Sequence, residues 1–114
     1  MRSYLKTTTP NVVSQTGANV TLKCFAYHGR VYRSSTFVEW KLNGREISDT
    51  QRIKLQEDYY GSFGDFTLRI ANVTTSDAGV YTCAAHFIDD IVLRPVRMKL
   101  SVYAGKNAWF SFPF

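Results

Sequence analysis

Asp77-Ala78-Gly79-Val80-Tyr81-Thr82-Cys83 reads as a turn that hands over to a strand. Asp77 has a side chain that hydrogen-bonds its local backbone, Gly79 permits a tight bend, and the residues after it alternate up to Cys83. Upstream, Cys24 closes a run of strict period-two alternation. Val20, Leu22 and Cys24 share one side of it, and Asn19, Thr21 and Lys23 the other. Trp40 stands between the two cysteines, in Phe37-Val38-Glu39-Trp40-Lys41-Leu42, where Val38, Trp40 and Leu42 take the inward positions. Short alternating strands punctuated by turn residues describe an all-β chain.

The order Cys24, Trp40, Tyr81, Cys83, with Tyr81 two residues before the second cysteine, resembles the immunoglobulin superfamily, and the motifs cover residues 4 to 103. The resemblance implies an immunoglobulin-like two-sheet Greek-key sandwich with one inter-sheet disulfide, Cys24 to Cys83. Trp40 would pack on the bridge and Tyr81 would form a tyrosine corner with a backbone partner for its hydroxyl. It also implies a pair between Arg52, opening strand D, and Asp77 of the E–F turn. These four residues read as scaffold rather than ligand contacts. As a disulfide, the cysteines close a loop of about 60 residues, a constraint of about 4 kcal/mol in the chain-entropy model. Two buried free thiols in an intracellular filament-type domain are the alternative. The spacing, with no nearby histidine pair, does not fit a zinc site.

At 114 residues the chain has room for one domain, residues 1–103, followed by an aromatic tail, residues 104–114. The tail repeats the Gly-x-Asn-apolar pattern of residues 17–24, as the opening strand of a second immunoglobulin-like domain would; a cloning-derived or ligand-like tail is the other reading. Met1-Arg2-Ser3 has no apolar core behind it, as expected where a mature segment begins. No apolar run approaches the roughly 18 residues that a membrane-spanning helix needs. Asn19-Val20-Thr21 and Asn72-Val73-Thr74 fit the N-glycosylation pattern at positions expected to face solvent, which favours a secreted or cell-surface location.

Taken in order, Tyr4-Leu5-Lys6 is expected as an edge strand, broken before Pro10 and resumed by Asn11-Val12-Val13-Ser14-Gln15. Residues 27–36 form a polar, basic and aromatic B–C loop. Asn43-Gly44 signals a tight hairpin into strand C′, Arg45-Glu46-Ile47-Ser48. Strand D is read at 52–56 and strand E at 66–70, separated by a long turn from Tyr59 to Gly64. Strand F runs from Val80 to about Ile88, and Asp89-Asp90 turns into strand G, where Pro95 implies a bulge and Met98, Leu100 and Val102 face inward. The short interval from Trp40 to Cys83 resembles the I-set subtype, and the long B–C loop is more V-set-like.

Catalysis finds no support in the residue pattern. His28 and His86 are the only histidines, and no serine or carboxylate is placed with them in a nucleophile–base arrangement. No cofactor or metal is implied. The function expected from the resemblance is recognition of a protein partner by a cell-surface adhesion or immune-type receptor, through the outward G-F-C-C′ face and the B–C and F–G loops. Alternation puts Glu39, Lys41, His86, Arg97 and Lys99 on that face, around a small centre of Thr82 and Ala84, with Arg45 at the C′ end. Arg30, Tyr32 and Arg33 in the B–C loop, with Phe87, Ile88, Ile91 and Val92 around the F–G turn, gather at one end of the sandwich. The net charge of +5 fits an acidic protein or a sulfated glycan better than nucleic acid, because the basic residues are scattered and no nucleic-acid module is present. Homophilic association is a further expectation. The reading from a different class is a structural spacer in a tandem array, extracellular or filament-associated.

Overall fold

The alternation seen along the chain becomes two stacked sheets. A computed structural model describes residues 3–29, 31–89 and 91–104, without the side chain of Val92. The strands are β1 (Tyr4–Lys6), β2 (Asn11–Gln15), β3 (Val20–Tyr27), β4 (Thr36–Leu42), β5 (Arg45–Glu46), β6 (Ile53–Tyr60), β7 (Phe63–Ile70), β8 (Gly79–Phe87) and β9 (Val92–Tyr103). One sheet has the order β1-β3-β7-β6 and the other β2-β9-β8-β4-β5. In the lettering above, β3 is strand B, β4 is C, β5 is C′, β6 is D, β7 is E, β8 is F and β9 is G. Arg30, Asp90 and the aromatic tail from residue 105 onward lie outside the described residues.

The inner faces meet in one core. Val20, Leu22, Cys24 and Ala26 from β3 and Phe66, Leu68 and Ile70 from β7 pack against Trp40 from β4, Tyr81, Cys83 and Ala85 from β8, and Met98 and Leu100 from β9. The Cys24–Cys83 disulfide joins the sheets through the middle of this core. Trp40 is the cross-strand partner of Cys83, so its indole lies beside the bridge. Burying these large apolar groups stabilises the sandwich by roughly 1.5–3 kcal/mol for each full side chain.

Below the core the chain is locked by polar contacts. Arg52 donates two near-parallel hydrogen bonds to the Asp77 carboxylate, at 3.0 and 3.1 Å, and also reaches the carbonyls of Ala71 and Asn72. Asp77 sits at the end of a single 3-10 turn, Thr75–Asp77, and its Oδ2 accepts the Thr74 amide at 2.8 Å. Its carbonyl accepts the Tyr81 hydroxyl at 2.6 Å, which is the tyrosine corner. Burial pushes the Tyr81 phenol up to about 12. Burial also acts to raise the Asp77 carboxyl, but the hydrogen bonds from Arg52 and Thr74 outweigh it and hold the group below its ordinary range.

Three expectations are corrected. Asn11–Gln15 does not resume the first edge strand: it crosses to the other sheet and pairs in parallel with β9. The reason is visible in the crossing. Past Lys6, the Thr7 hydroxyl donates to the Lys23 carbonyl at 2.6 Å and the Thr9 hydroxyl accepts the Lys23 amide at 3.0 Å, so side chains take over the edge of β3. Pro10 has no amide to offer there, and its carbonyl accepts the Lys99 amide, which starts the new ladder. The expected long turn from Tyr59 to Gly64 is instead a continuous hairpin in which β6 and β7 pair out to Tyr60 and Phe63, turning at Gly61-Ser62. Strand C′ is confined to Arg45–Glu46. Asn43 and Gly44 both adopt positive φ, 50° and 85°, as a two-residue hairpin of this hand requires. The β-bulge on β9 is present: Cys83 pairs with Val96 and Ala85 with Leu93, leaving one extra residue around Pro95.

Gly64 is an inward position on β7 where space, not φ, demands glycine. A Cβ there would lie 2.4 Å from Cζ of Phe66 and 2.7 Å from Cγ1 of Val31, both buried. Gly64→Ala is expected to destabilise the domain by about 1–3 kcal/mol through overpacking. Chemical denaturation measures this, and a midpoint equal to the parent's would refute it.

Candidate recognition surface

The outward face of the five-stranded sheet is set by register. Glu46, Lys41, Thr82 and Arg97 form one row across β5, β4, β8 and β9, Glu39 lies opposite Ala84, and Phe37 lies opposite His86. Arg97 and Lys99 are exposed, Thr82 and Ala84 are half-buried, and Glu39 Oε1 lies 3.8 Å from both Lys41 Nζ and His86 Nε2. Arg45 is exposed at the start of β5 and falls opposite the inward residue Leu42, and Glu46 takes the place beside Lys41. The face is therefore mixed in charge, with Glu39 and Glu46 breaking the basic ring.

Its apolar centre is displaced toward one end. Phe37 is 57% exposed, and its ring lies 5.7 Å from that of His86. The Ile88 amide donates to the Ser35 carbonyl at 2.9 Å, tying the F–G turn to the B–C loop. Between them runs a shallow groove of about 290 Å3 whose walls include Ser35, Phe37, His86 and Ile88. Ile88 is 77% exposed, and Tyr32 and Ile91 are exposed as well. Sequence reasoning missed Phe37 as a surface contact, although its outward parity beside Val38 and Trp40 was the available signal.

Phe87 is a correction. Expected at the exposed loop tip, it instead continues the inward parity of Tyr81, Cys83 and Ala85 and is only 6% exposed. Its ring stacks on His28 at 4.4 Å. Arg33 is exposed and lies over the Tyr59 ring at 5.8 Å, so it leans toward β6 and away from the β4–β8–β9 face. Val31, in the middle of the polar B–C loop, is fully buried and anchors that loop by a hydrogen bond that its amide donates to the Gly61 carbonyl at 3.1 Å.

The residue pattern offers no nucleophile–base arrangement around either histidine, but the fold brings a serine and a carboxylate to His28. Ser3 Oγ lies 2.6 Å from Nδ1, and Asp89 Oδ2 lies 2.9 Å from Nε2. The hydrogen bond to His28 holds the Asp89 carboxyl below its ordinary range. The residues are far apart in sequence, so spacing carried no hint of the contact. The adjoining cleft of about 170 Å3 is lined by His28, Phe87, Ile88 and Asp89 and not by Ser3. The arrangement acts as a latch joining the chain start, the B–C loop and the F–G turn.

At the opposite end, Asn19 and Asn72 are both exposed and adjacent, the Asn72 amide donating to Asn19 Oδ1 at 3.2 Å.

The family profile described as Immunoglobulin domain matches residues 5–86, and the chain belongs to that family. No curated protein matches the sequence. Among solved structures, one similar chain comes from "Crystal structure of Dpr2 Ig1-Ig2 in complex with DIP-Theta Ig1-Ig3", with TM-score 0.69 and 19% identity over 90% of this chain and 32% of that one. This chain thus spans about a third of that relative. Another is from "Crystal Structure of the RIG-5 IG1 homodimer", with TM-score 0.69 and 18% identity over 90% of this chain and 99% of that one. Because 1443 solved chains match, the likeness defines the architecture and leaves function to the surface.

Proposed function

We propose that this domain is a non-catalytic extracellular recognition module that binds another protein through the outward β4–β8–β9 face and the joined B–C and F–G loops. The observation that carries the reading is the exposed apolar pair Phe37 and Ile88 on one groove, with Ile91 exposed on the same F–G turn, at the end of a face of mixed charge. An apolar anchor region with a polar rim is the anatomy of a protein interface. The two structural relatives support it, since one was solved within a complex of such domains and the other as a homodimer. The inter-sheet disulfide and two exposed sequons favour an oxidising, extracellular setting. The mixed charge fits a partner with both signs at its rim better than a uniformly acidic protein or a sulfated glycan.

The test is a binding screen of the oligomerised full chain against displayed cell-surface ectodomains, with the chain itself included for homophilic binding. Phe37→Arg and Ile88→Asp are each expected to weaken the captured interaction about 30-fold or more, as loss of an anchor of about 2 kcal/mol implies. Lys54→Glu, exposed on the other sheet, should leave it unchanged. Capture that survives both anchor changes would sink the proposal. No capture at all would favour the spacer reading, with Ile88 and Ile91 as an interdomain contact.

A further inference from the structure

The opposite face of the sandwich carries an organised surface that the function proposed above does not use. On the outward side of the β1-β3-β7-β6 sheet, Tyr4 lies opposite Tyr27, Tyr27 opposite Phe63, and Phe63 opposite Tyr60. This is a row of four aromatics spanning all four strands. Tyr4 and Tyr27 stack at 5.3 Å and Tyr27 meets Phe63 at 4.9 Å. Tyr60 is 63% exposed and Phe63 44%. The next row reads Lys6, Phe25, Asp65, Asp58. Beside the aromatic row, Phe25, Phe63, Tyr60, Lys6 and Asp65 help to line a shallow, mostly apolar groove of about 480 Å3. Asp65 Oδ1 is buried with no hydrogen-bond partner among the described residues, and its other oxygen is 3.9 Å from Lys23. A monomer gains nothing from leaving such a surface in water.

We infer that this face is a second interaction surface and that its occupant is a second copy of the domain, packed face to face about a two-fold axis running along the strands. The charge order decides the occupant and the axis. A two-fold contact requires a patch complementary to itself. An axis along the strands, midway between β3 and β7, exchanges the β1 edge with the β6 edge. The aromatic row then meets its own copy, Tyr4 over Tyr60 and Tyr27 over Phe63. In the next row the cation at one edge, Lys6, comes over the anion at the other edge, Asp58, and strand spacing of about 4.8 Å leaves Asp65 within reach of the same lysine. An axis across the strands, centred on the sheet, instead lays the aromatic row over Thr21, Arg69 and Lys54, which form the row at the far end. That pairing sets no ring over another ring and no carboxylate directly over a cation.

The ring geometry disfavours other occupants. Tyr4 and Tyr27 stack on one another and Tyr27 meets Phe63 at a tilt, so the faces these rings turn to each other are closed to a sugar or a proline. Size sets the strength. Three strands of eight residues and the three-residue β1, about 4.8 Å apart, give a face of roughly 450 Å2, below the roughly 800 Å2 per partner of a standard interface. The dimer therefore falls in the weak, transient class and fills where copies are concentrated on one surface. Both copies point the same way and keep their β4–β8–β9 faces free, so pairing would add avidity to recognition.

Sedimentation equilibrium of the full chain from about 1 μM to 1 mM tests this. The parent should dimerise, and Phe63→Glu should abolish dimerisation. Lys6→Asp and Asp58→Lys should each weaken it about tenfold or more, since like charges then face one another. The double variant Lys6→Asp/Asp58→Lys should restore it. Within one molecule these residues lie on opposite edges of the sheet, so rescue reports a contact between copies. Both are surface positions, and unchanged thermal melting shows that the fold is kept. A parent that stays monomeric at 1 mM overturns the inference. So does association that ignores Phe63→Glu, including association lost on Phe37→Arg, which would place the copies on the other face. Failure of the double variant to rescue overturns the two-fold axis and with it the proposal.

Discussion

Cys83→Ala is expected to lose about 4 kcal/mol of stability, because the bridge closes a loop of 59 residues in the unfolded chain. A domain of this size has about 5–15 kcal/mol in total, so the variant should be largely unfolded at 37 °C or melt far below the parent. The effect is compounded by position. Both sulfurs are fully buried at the centre of the core, and Trp40 is the cross-strand neighbour of Cys83. Urea unfolding of parent and variant, with tryptophan fluorescence as the probe, measures the difference. A loss of under 1 kcal/mol would mean that the core holds the sheets without the bridge.

Asp77→Ala should cost about 2–3 kcal/mol, the next largest effect expected. It removes the bidentate bond to Arg52 and the acceptor for the Thr74 amide in one step. Hydrogen bonds to charged groups contribute about 1.5–3 kcal/mol each, and the half-exposed Arg52 guanidinium is partly compensated by water, which tempers the sum. The pH dependence follows from the depressed Asp77 carboxyl. Its contribution is complete above the unfolded carboxylate value of about 3.9 and is lost as pH falls through the lower folded value. The Arg52 guanidinium is shifted upward by its hydrogen bond to Asp77, so it stays charged throughout this window. The stability gap between parent and Asp77→Ala should therefore be constant from pH 5 to 8 and narrow below about pH 4. A gap independent of pH down to 2 would show that packing, not the ion pair, is responsible.

Period-two alternation was enough to find β3, β4, β7, β8 and β9 and the inward set Leu22, Cys24, Trp40, Leu68, Cys83 and Met98. Each of these strands has one buried face, and a one-residue slip would expose all of it. The same parity contained the correct placement of Phe87 and of Phe37. A hydrophobic residue near a hairpin tip looks exposed, but Phe87 is drawn inward because the strand continues to it and His28 covers its ring. The recognition surface was legible as a list of outward residues and not as a shape. Glu46 joins the face beside Lys41 through the register of a two-residue strand, which no local pattern encodes.

The sequence alone determined the strands by their alternation. Its resemblance to the immunoglobulin superfamily, carried by two cysteines, a tryptophan between them and a tyrosine before the second, implied the sandwich and the residues at its centre. Tertiary structure alone decided which sheet each edge belongs to and what the surfaces present. The side chains of Thr7 and Thr9 hand β2 to the opposite sheet, Ser3 and Asp89 meet on His28, and Tyr4, Tyr27, Phe63 and Tyr60 align into one row. Burial is a property of each strand by itself, written in its alternation. Adjacency across strands depends on register between segments distant in the chain, and only folding sets it.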